Sequence, residues 1–219
     1  GAMLDIPGIA RLAHAKGAKI MLDCYQAVGA VTVDVKRLDV DFAVGGMLKY
    51  LLGTAGLGFL YVRGELIPSL IPCNSGWFAQ ENIAAMDIMG NRPAPTARRF
   101  EAGTPAVVNC YAVEAGLKII NEVGTDTIER RIRQLTQLCI ERLEDIGWAS
   151  VTPRLEEHHG PMICVRAKQV ALLCEQLSKQ NIVASFRDEN LRATFHFYNS
   201  EEDVESFVAA LAEHRARFR

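Results

Sequence analysis

The stretches KIMLDCYQAVG (residues 19–29) and VDFAVGGMLKYLLGTAGLGFLYVR (residues 40–63) decide the fold. Each contains a short, nearly continuous apolar run, which is typical of a strand that is covered on both faces of a sheet. Asp23 ends the first run, and Lys49 follows the second. Because ligands of open α/β sheets bind beyond the carboxyl ends of the strands, we expect Asp23 and Lys49 to converge at one edge of a parallel sheet.

Composition excludes several classes of partner. The chain has 219 residues, 49% of them hydrophobic, which is enough core for one domain or two small ones. Its acids and bases are interspersed, with a formal net charge of -2, so neither nucleic acid nor an anionic membrane is favoured. No apolar run is long enough to span a bilayer.

The six cysteines occur singly, without CxxC pairs and without the spacing of metal ligands. The five histidines are likewise not spaced as ligands. We therefore predict reduced core thiols in a cytoplasmic protein that has no metal site.

The first half of the chain alternates helix and strand, the rhythm of an α/β fold. Asp5 and Pro7 predict the start of a helix that Gly17 ends. Buried strands are expected at residues 18–22, 42–45 and 59–62, the third antiparallel to the second. Residues 72–99 show no periodicity and form a long connection. Gly103, Thr104 and Pro105 predict another helix start.

Gly124 is the expected boundary between a large domain (residues 1–123) and a small α+β domain (residues 124–219). Asp126 with Glu129 resembles the cap of the first helix of the small domain. Strands are expected at residues 150–152, 162–165, 183–186 and 191–197, and helices at residues 168–179 and 201–215, the last capped by Ser200.

Lys49 and Asp23 suit one kind of cofactor chemistry. Most lysines merely solvate a surface. A lysine that is partly neutral, through burial or a nearby cation, can instead form a Schiff base with an aldehyde. A carboxylate such as that of Asp23 can keep the nitrogen of a pyridine ring protonated, as an electron-sink cofactor requires.

Five motifs in this order resemble those of the class V aminotransferase family, the fold-type I pyridoxal-phosphate enzymes. They are LDCYQAVGA (22–30), GGMLKYLLGTAGLGFLYVR (45–63), SGWF (75–78), RRFEAGTP (98–105) and LRATFHFYNSEED (191–203). The resemblance implies an α/β fold, with residues 1–123 as part of the cofactor-binding large domain, and pyridoxal phosphate as cofactor. It also implies a homodimer, or a partner chain that supplies an amino-terminal part for which this sequence has no counterpart.

The same resemblance assigns cofactor roles. Lys49 would form the internal aldimine, Asp23 would hold the pyridine nitrogen, and Gln26 would hydrogen-bond the phenolic oxygen. Thr104 resembles the residue that reaches a phosphate across the dimer interface, a role that a helix start would suit. Trp77 resembles the tryptophan near the phosphate in kynureninase-like members.

For the substrate, Arg192 resembles the arginine that grips the α-carboxylate, and Arg187 is a weaker second candidate. His196, beside that arginine motif, is a minor candidate for a ligand contact. Residues 46–48 lack the serine, histidine or tyrosine with which relatives commonly bind the phosphate.

The loop at residues 186–190 contains no cysteine, which disfavours a cysteine desulfurase and points to the kynureninase and isopenicillin-N-epimerase-like branch. The expected function is therefore that of a pyridoxal-phosphate enzyme acting on an amino acid as a transaminase, lyase or epimerase. The alternative is a catalytically incomplete half-enzyme or truncated chain that acts only as a dimerising or partner-binding subunit.

Overall fold

A computed structural model describes residues 1–219, which divide into two compact units. The carboxyl-terminal unit comprises Val123–Arg219 together with the short segments Gly1–Leu4 and Gly29–Thr32. The other unit, here called the lysine unit, comprises Asp5–Val28 and Val33–Glu122. None of the helices combines the length and apolar character that crossing a bilayer requires.

The lysine unit is built on one three-stranded sheet. Its helices and strands are α1 (Ile6–Ala15), β1 (Met21–Asp23), β2 (Phe42–Gly46), β3 (Gly58–Val62) and α2 (Val107–Val123). In the order β1-β2-β3, the first pair of strands is parallel and the second antiparallel, with Asp23 opposite Val44. The predicted pairing direction of the third strand is therefore confirmed.

The start of α1 follows the predicted cap, because the side chain of Asp5 accepts a hydrogen bond from the Gly8 amide at 3.0 Å. The first strand is shorter than predicted. Ile20 donates its amide to the side chain of Asp41 at 2.9 Å, although its carbonyl accepts from the Phe42 amide at 3.1 Å. β1 also pairs only with β2, and Met21 is 59% exposed, so the expectation of a strand covered on both faces is wrong.

The long connection between β3 and α2 is held in short 3₁₀ turns rather than in regular elements. They span Gly64–Ser69, Trp77–Ala79, Ile83–Ala85 and Ala97–Phe100. Helix α2 then runs from Val107 to Val123, so the predicted helix is confirmed, but it starts two residues after Pro105 rather than at the Gly-Thr-Pro motif. Thr104 is exposed on the approach to the helix and cannot act through the first turn of α2.

The carboxyl-terminal unit has the predicted α+β architecture, with helices on a small antiparallel sheet of order β4-β6-β5. Its elements are α3 (Thr125–Asp145), β4 (Met162–Arg166), α4 (Val170–Lys179), β5 (Ser185–Arg187), β6 (Asn190–Thr194) and α5 (Glu201–Phe218). Residues 150–152 form only an isolated bridge between Ser150 and Val165, and Val183, which is 95% exposed, lies outside β5. β6 ends at Thr194, so Phe195–Phe197 of the predicted strand continue as a loop.

One continuous hydrophobic core stabilises the carboxyl-terminal unit. Alternate residues of β4, Ile163 and Val165, are 1% exposed and face the helices. The inner faces of α3 and α5 add fully buried residues such as Leu143 and Leu211. The indole of Trp148 is buried too, and its Nε1 donates to a main-chain oxygen at 2.9 Å, so the core contains no unsatisfied donor there.

The two predicted caps of this unit have different outcomes. The Ser200 hydroxyl accepts a hydrogen bond from the Asp203 amide, and the Asp203 carboxylate accepts one from the Ser200 amide. The two bonds form a capping box at the start of α5. The predicted Asp126–Glu129 cap of α3 is wrong, since Gly124 precedes the helix and makes no side-chain cap. Those two carboxylates instead accept hydrogen bonds from Thr32 at 2.9 and 2.8 Å.

The prediction that all six cysteines are core thiols holds only in part. Cys24 and Cys139 are buried, whereas Cys73 and Cys110 are exposed because they lie on the long connection and on the outer side of α2. All six are free thiols.

Candidate functional site

The candidate site lies at the carboxyl ends of β1 and β2. Asp23 is the last residue of β1, and its neighbour β2 runs two residues beyond Asp23's partner Val44 before the chain turns to Lys49. Because the two strands are parallel, both predicted residues follow strands that end at the same edge of the sheet, as the sequence led us to expect.

Tyr25 contacts both predicted residues, since its amide bonds to Asp23 and its ring lies beside Lys49. Its ring lies against the main chain of Gly46, where a Cβ would clash with the ring carbons. The ammonium of Lys49 lies over the same ring, 4.8 Å from its centroid. Such a cation–π contact contributes about 0.5–1 kcal/mol at an exposed position. The side chain of Lys49 is therefore oriented by an aromatic ring from the DCYQ motif, which sequence reasoning did not single out.

Glycine at positions 45 and 46 is explained by ring packing. A Cβ on Gly45 would lie 2.7 Å from the ring of Phe59, and one on Gly46 would overlap Tyr25. The sequence interpretation treated residues 46–48 as positions that lack a phosphate-binding side chain. In the structure, glycine is needed at position 46 because a side chain there would overlap the Tyr25 ring that contacts Lys49.

The loop that carries Lys49 is closed by main-chain hydrogen bonds. The Gly53 amide donates to Met47 at 2.8 Å, and the Leu52 amide donates to Lys49 at 3.0 Å. Leu52 adopts a positive φ of 57°, which is uncommon for a residue with a branched side chain. The loop is thus a defined conformation rather than an open connection.

Helix α2 packs directly on this loop through Gly116. A Cβ at Gly116 would lie 2.6 Å from the carbonyl oxygen of Leu51 and 2.7 Å from that of Leu52. Asn109, two turns before Gly116 on the same face of the helix, donates to the carbonyl of Ala55 at 2.7 Å. The helix therefore fixes the position of the lysine loop through contacts with the main chain of that loop.

The remaining polar groups at this edge are available for a ligand. Oδ1 of Asp23 accepts the Tyr25 amide at 3.0 Å, while Oδ2 has no partner in the protein. The side chain of Gln26 is exposed and makes no hydrogen bond. Lys49 is exposed and makes no ion pair.

Cys24, between Asp23 and Tyr25, is a packing residue. Its thiol donates to Val44 at 3.1 Å, and burial, with a smaller contribution from the charge of Asp23, raises the pKa of this thiol. A thiol that stays protonated is a poor nucleophile.

Trp77 and Thr104 lie in two segments that touch. The main chain of Gly76 approaches that of Ala102 so closely that a Cβ on Gly76 would clash with the Ala102 carbonyl. A Cβ on Gly103 would lie 3.8 Å from Nε1 of Trp77. Trp77 is 45% exposed, and neither its indole nitrogen nor the Thr104 hydroxyl has a partner in the protein.

In the carboxyl-terminal unit, Arg192 lies on β6 and is half-buried. Its Nε contacts the sulfur of Met162 at 3.0 Å, while its two terminal nitrogens have no partner and no carboxylate pairs with it. Arg187, the weaker candidate, is exposed on β5. His196 is 4% exposed, follows β6, and stacks on the ring of Tyr198 with 4.9 Å between centroids.

The site residues that were missed are Tyr25 and the arginine pair Arg98–Arg99. A tyrosine next to an aspartate has no distinctive spacing, and the only sequence signal for its role is the Gly45–Gly46 pair on the neighbouring strand. The arginines belong to the RRFEAGTP motif, but no role was predicted for their side chains, which bond to main-chain carbonyls of the long connection.

Comparison with known proteins gives consistent matches along the chain. The family model described as "Aminotransferase class-V" matches residues 1–207. An uncharacterized aminotransferase of Bacillus subtilis is 32% identical over 97% of this chain and 56% of its own length. A kynureninase of Deinococcus radiodurans is 32% identical over 97% of this chain and 53% of its own length.

Among solved structures, the apo form of a cysteine desulfurase from Thermococcus onnurineus superimposes with a TM-score of 0.87. It is 26% identical, and the match covers 97% of this chain and 56% of that one. The chain therefore has the fold of fold-type I pyridoxal-phosphate enzymes and spans about half the length of the curated relatives that it matches.

Proposed function

Since this chain belongs to the class-V aminotransferase family, a family of pyridoxal-phosphate enzymes, we propose that it forms the lysine-bearing part of an enzyme that acts on an amino acid as a transaminase, lyase or epimerase. The observation that carries the proposal is the edge where Lys49 and Asp23 follow parallel strands, with the amine of Lys49 oriented over Tyr25. Fold alone does not select the reaction.

The chemistry of the free groups fits the cofactor. Oδ2 of Asp23 has no protein partner and can accept a hydrogen bond from a ring N–H, and the amide of Gln26 can donate to a phenolic oxygen. The indole N–H of Trp77 and the hydroxyl of Thr104 are free donors on neighbouring segments, which suits a phosphate. Pyridoxal phosphate, when bound, supplies an electron sink for the bonds at the α-carbon of the substrate.

Two residues would act on the substrate. Arg192 keeps two terminal nitrogens free, and a guanidinium binds a carboxylate through two parallel hydrogen bonds. Nζ of Lys49, once neutral, would take the proton from the α-carbon and return it in the reverse direction. Asp23 would keep its negative charge beside the ring nitrogen and so keep that nitrogen protonated.

The reaction class is narrowed by the loop before Arg192. It forms the tight turn between β5 and β6, where Asp188 has a positive φ of 52°, and it contains no cysteine. We therefore favour the lyase, epimerase or transaminase branch over a desulfurase, although relatives of both kinds match the chain. All six cysteines are free, which supports a cytoplasmic enzyme.

The test is covalent trapping. The chain is incubated with pyridoxal phosphate, reduced with borohydride and digested, and we expect mass spectrometry to find the pyridoxyl group on Lys49. Lys49→Arg should abolish the adduct, whereas Lys118→Arg, which changes another exposed lysine of the same unit, should leave it intact. Labelling that is spread evenly over exposed lysines would contradict the proposal.

A second candidate is a half-enzyme that becomes active only with more polypeptide, supplied by a homodimer partner or another chain. It is favoured by the free edge of β1 and by the many apolar side chains that the lysine unit exposes, such as Leu12 and Met21. An absorbance band that develops with pyridoxal phosphate alone would support the first candidate. A band that develops only after a complementing polypeptide is added would support the second.

A further inference from the structure

The long connection between β3 and α2 satisfies its main-chain carbonyls with arginine side chains. Because it has only one isolated bridge, between Gln80 and Pro93, and no long helix, many of its carbonyl groups need other partners. Arg99 is 9% exposed and donates from Nε to Ala94 at 2.7 Å. Its Nη1 donates to Ile67 at 2.6 Å and to Leu70 at 2.9 Å.

Arg98 does the same on another side of the same 3₁₀ turn. Its Nη1 donates to Phe78 at 2.6 Å, and its Nη2 donates to Glu81 at 3.2 Å. Neither Arg98 nor Arg99 pairs with a carboxylate, although a buried charge normally has such a partner. These guanidinium groups therefore act as cross-links between loop carbonyls rather than as members of ion pairs.

Arg98 bonds to one of the two segments that carry predicted cofactor contacts, and Arg99 anchors the turn that leads into the other. Arg98 donates to the turn that begins at Trp77. Arg99 ties the turn Ala97–Phe100, which leads into residues 101–104, to Ile67 and Leu70. Between these segments the main chains of Gly76 and Ala102 are in contact, with the indole nitrogen of Trp77 close to Gly103. A shift of either arginine would be transmitted to this contact.

We propose that Arg98 and Arg99 are positioning residues that hold the Trp77 segment against the Thr104 segment, so that both present their free donors to the same anionic group of the cofactor. This inference rests on the proposed function for the identity of that group, but the positioning itself is a property of the chain without cofactor. Arginine is required because its planar fork reaches several carbonyls at once, whereas a lysine ammonium is a single point.

The experiment measures the environment of Trp77 in the 219-residue chain without cofactor. Trp148 is buried, so subtracting the signal of a Trp77→Phe variant isolates the half-exposed indole. We expect Arg98→Met and Arg99→Met to shift the emission of Trp77 to longer wavelength and to raise its quenching by acrylamide. Arg99→Lys should behave like Arg99→Met. Arg92→Met is the matched control, because Arg92 lies in the same connection, is exposed and makes no side-chain hydrogen bond.

A second measurement follows binding of pyridoxal phosphate. Both methionine variants should raise its Kd by about tenfold, the equivalent of one lost hydrogen-bonded contact, while Arg92→Met should not. If Arg99→Met does not fold, Arg98→Met and Arg99→Lys decide the question. Unchanged emission and quenching in folded Arg98→Met and Arg99→Lys would overturn the proposal. Failure of the unchanged chain to bind pyridoxal phosphate would instead overturn the proposed function and leave the fluorescence result to decide on the positioning.

Discussion

The two units of the chain are stabilised in different ways. The carboxyl-terminal unit buries one continuous set of apolar side chains, among them Leu143, Leu211 and Trp148. Most of the chain's exposed large apolar residues lie in the lysine unit. This unit depends instead on close main-chain contacts at glycines, on arginine–carbonyl hydrogen bonds and on a buried carboxylate. The unit that carries the candidate site is thus the one with the weaker core.

This difference has a physical consequence for the site. Contacts between an apolar core and its helices tolerate small shifts, whereas a glycine pressed against a carbonyl oxygen does not tolerate even one methyl group. The position of Lys49 is therefore set by steric contacts of the main chain, and damage to those contacts should affect the site more than the fold of the carboxyl-terminal unit.

The largest expected effect is in the core of the carboxyl-terminal unit. Leu211 is fully buried, so Leu211→Ala should lower the free energy of unfolding by about 2–5 kcal/mol. Leu60 of the lysine unit is 43% exposed, and Leu60→Ala should cost less than about 1 kcal/mol. Urea unfolding measures both, followed by Trp148 fluorescence in a Trp77→Phe background for Leu211→Ala and by the fluorescence of Trp77, which lies in the lysine unit, for Leu60→Ala. Equal losses in the two variants would remove the proposed difference between the units.

Sequence reasoning succeeded where local chemistry decides the structure. The cap at Asp5, the cap at Ser200 and the antiparallel third strand follow from short-range patterns, and the structure confirms them. The placement of Asp23 and Lys49 after parallel strands follows from the apolar runs and from the general geometry of α/β sheets.

Several of the misses share a cause, which is that distant residues bond to groups that local patterns had assigned to a cap or a strand. The predicted cap at Asp126 and Glu129 was wrong because Thr32, more than ninety residues away in sequence, uses both carboxylates. The first strand is short because the side chain of Asp41 takes the amide of Ile20. Neither partner is visible in a window of sequence, and the same holds for the ring of Tyr25 on Gly46.

A smaller effect is expected from the contact between α2 and the lysine loop. Gly116→Ala would normally stabilise a helix by about 1 kcal/mol, because alanine is the better helix former. Here the added Cβ would lie 2.6 Å from the carbonyl oxygen of Leu51, so we expect a loss of about 1–3 kcal/mol instead. The sign of the change therefore separates helix propensity from steric contact.

The measurement for Gly116→Ala combines urea unfolding with hydrogen exchange at the amide of Gly53, which closes the lysine loop on Met47. Exchange of this amide should accelerate in the variant. Gly64→Ala is the control, because no atom lies within 4 Å of the Cβ that it would add. A stabilised Gly116→Ala variant with unchanged hydrogen exchange at Gly53 would show that α2 does not fix the position of the lysine loop.

The smallest expected effect concerns the buried carboxylate of Asp41, at the end of the sheet opposite to Lys49. Asp41 is 1% exposed and contacts His14 at 2.9 Å, Lys19 at 3.6 Å and Arg63 at 3.6 Å, while Asp39 faces the same His14 and Arg63. Burial raises the pKa of Asp41, but its hydrogen bonds and the neighbouring positive charges outweigh burial and hold the pKa below its usual value.

The sign of the pH dependence follows from that lowered pKa. The ionised Asp41 stabilises the folded chain above the pKa of an unfolded aspartate, about 3.9, and this contribution is lost as the pH falls through the lower pKa of the folded state. Asp41→Asn keeps an acceptor for Ile20 but loses the charge, so it should cost about 1 kcal/mol at pH 5. Urea unfolding of the unchanged chain and of Asp41→Asn should show that the difference between their free energies of unfolding decreases as the pH falls from 5 to 3. A difference that stays constant over this range would mean that hydrogen-bond geometry, rather than charge, is what Asp41 contributes to the lysine unit.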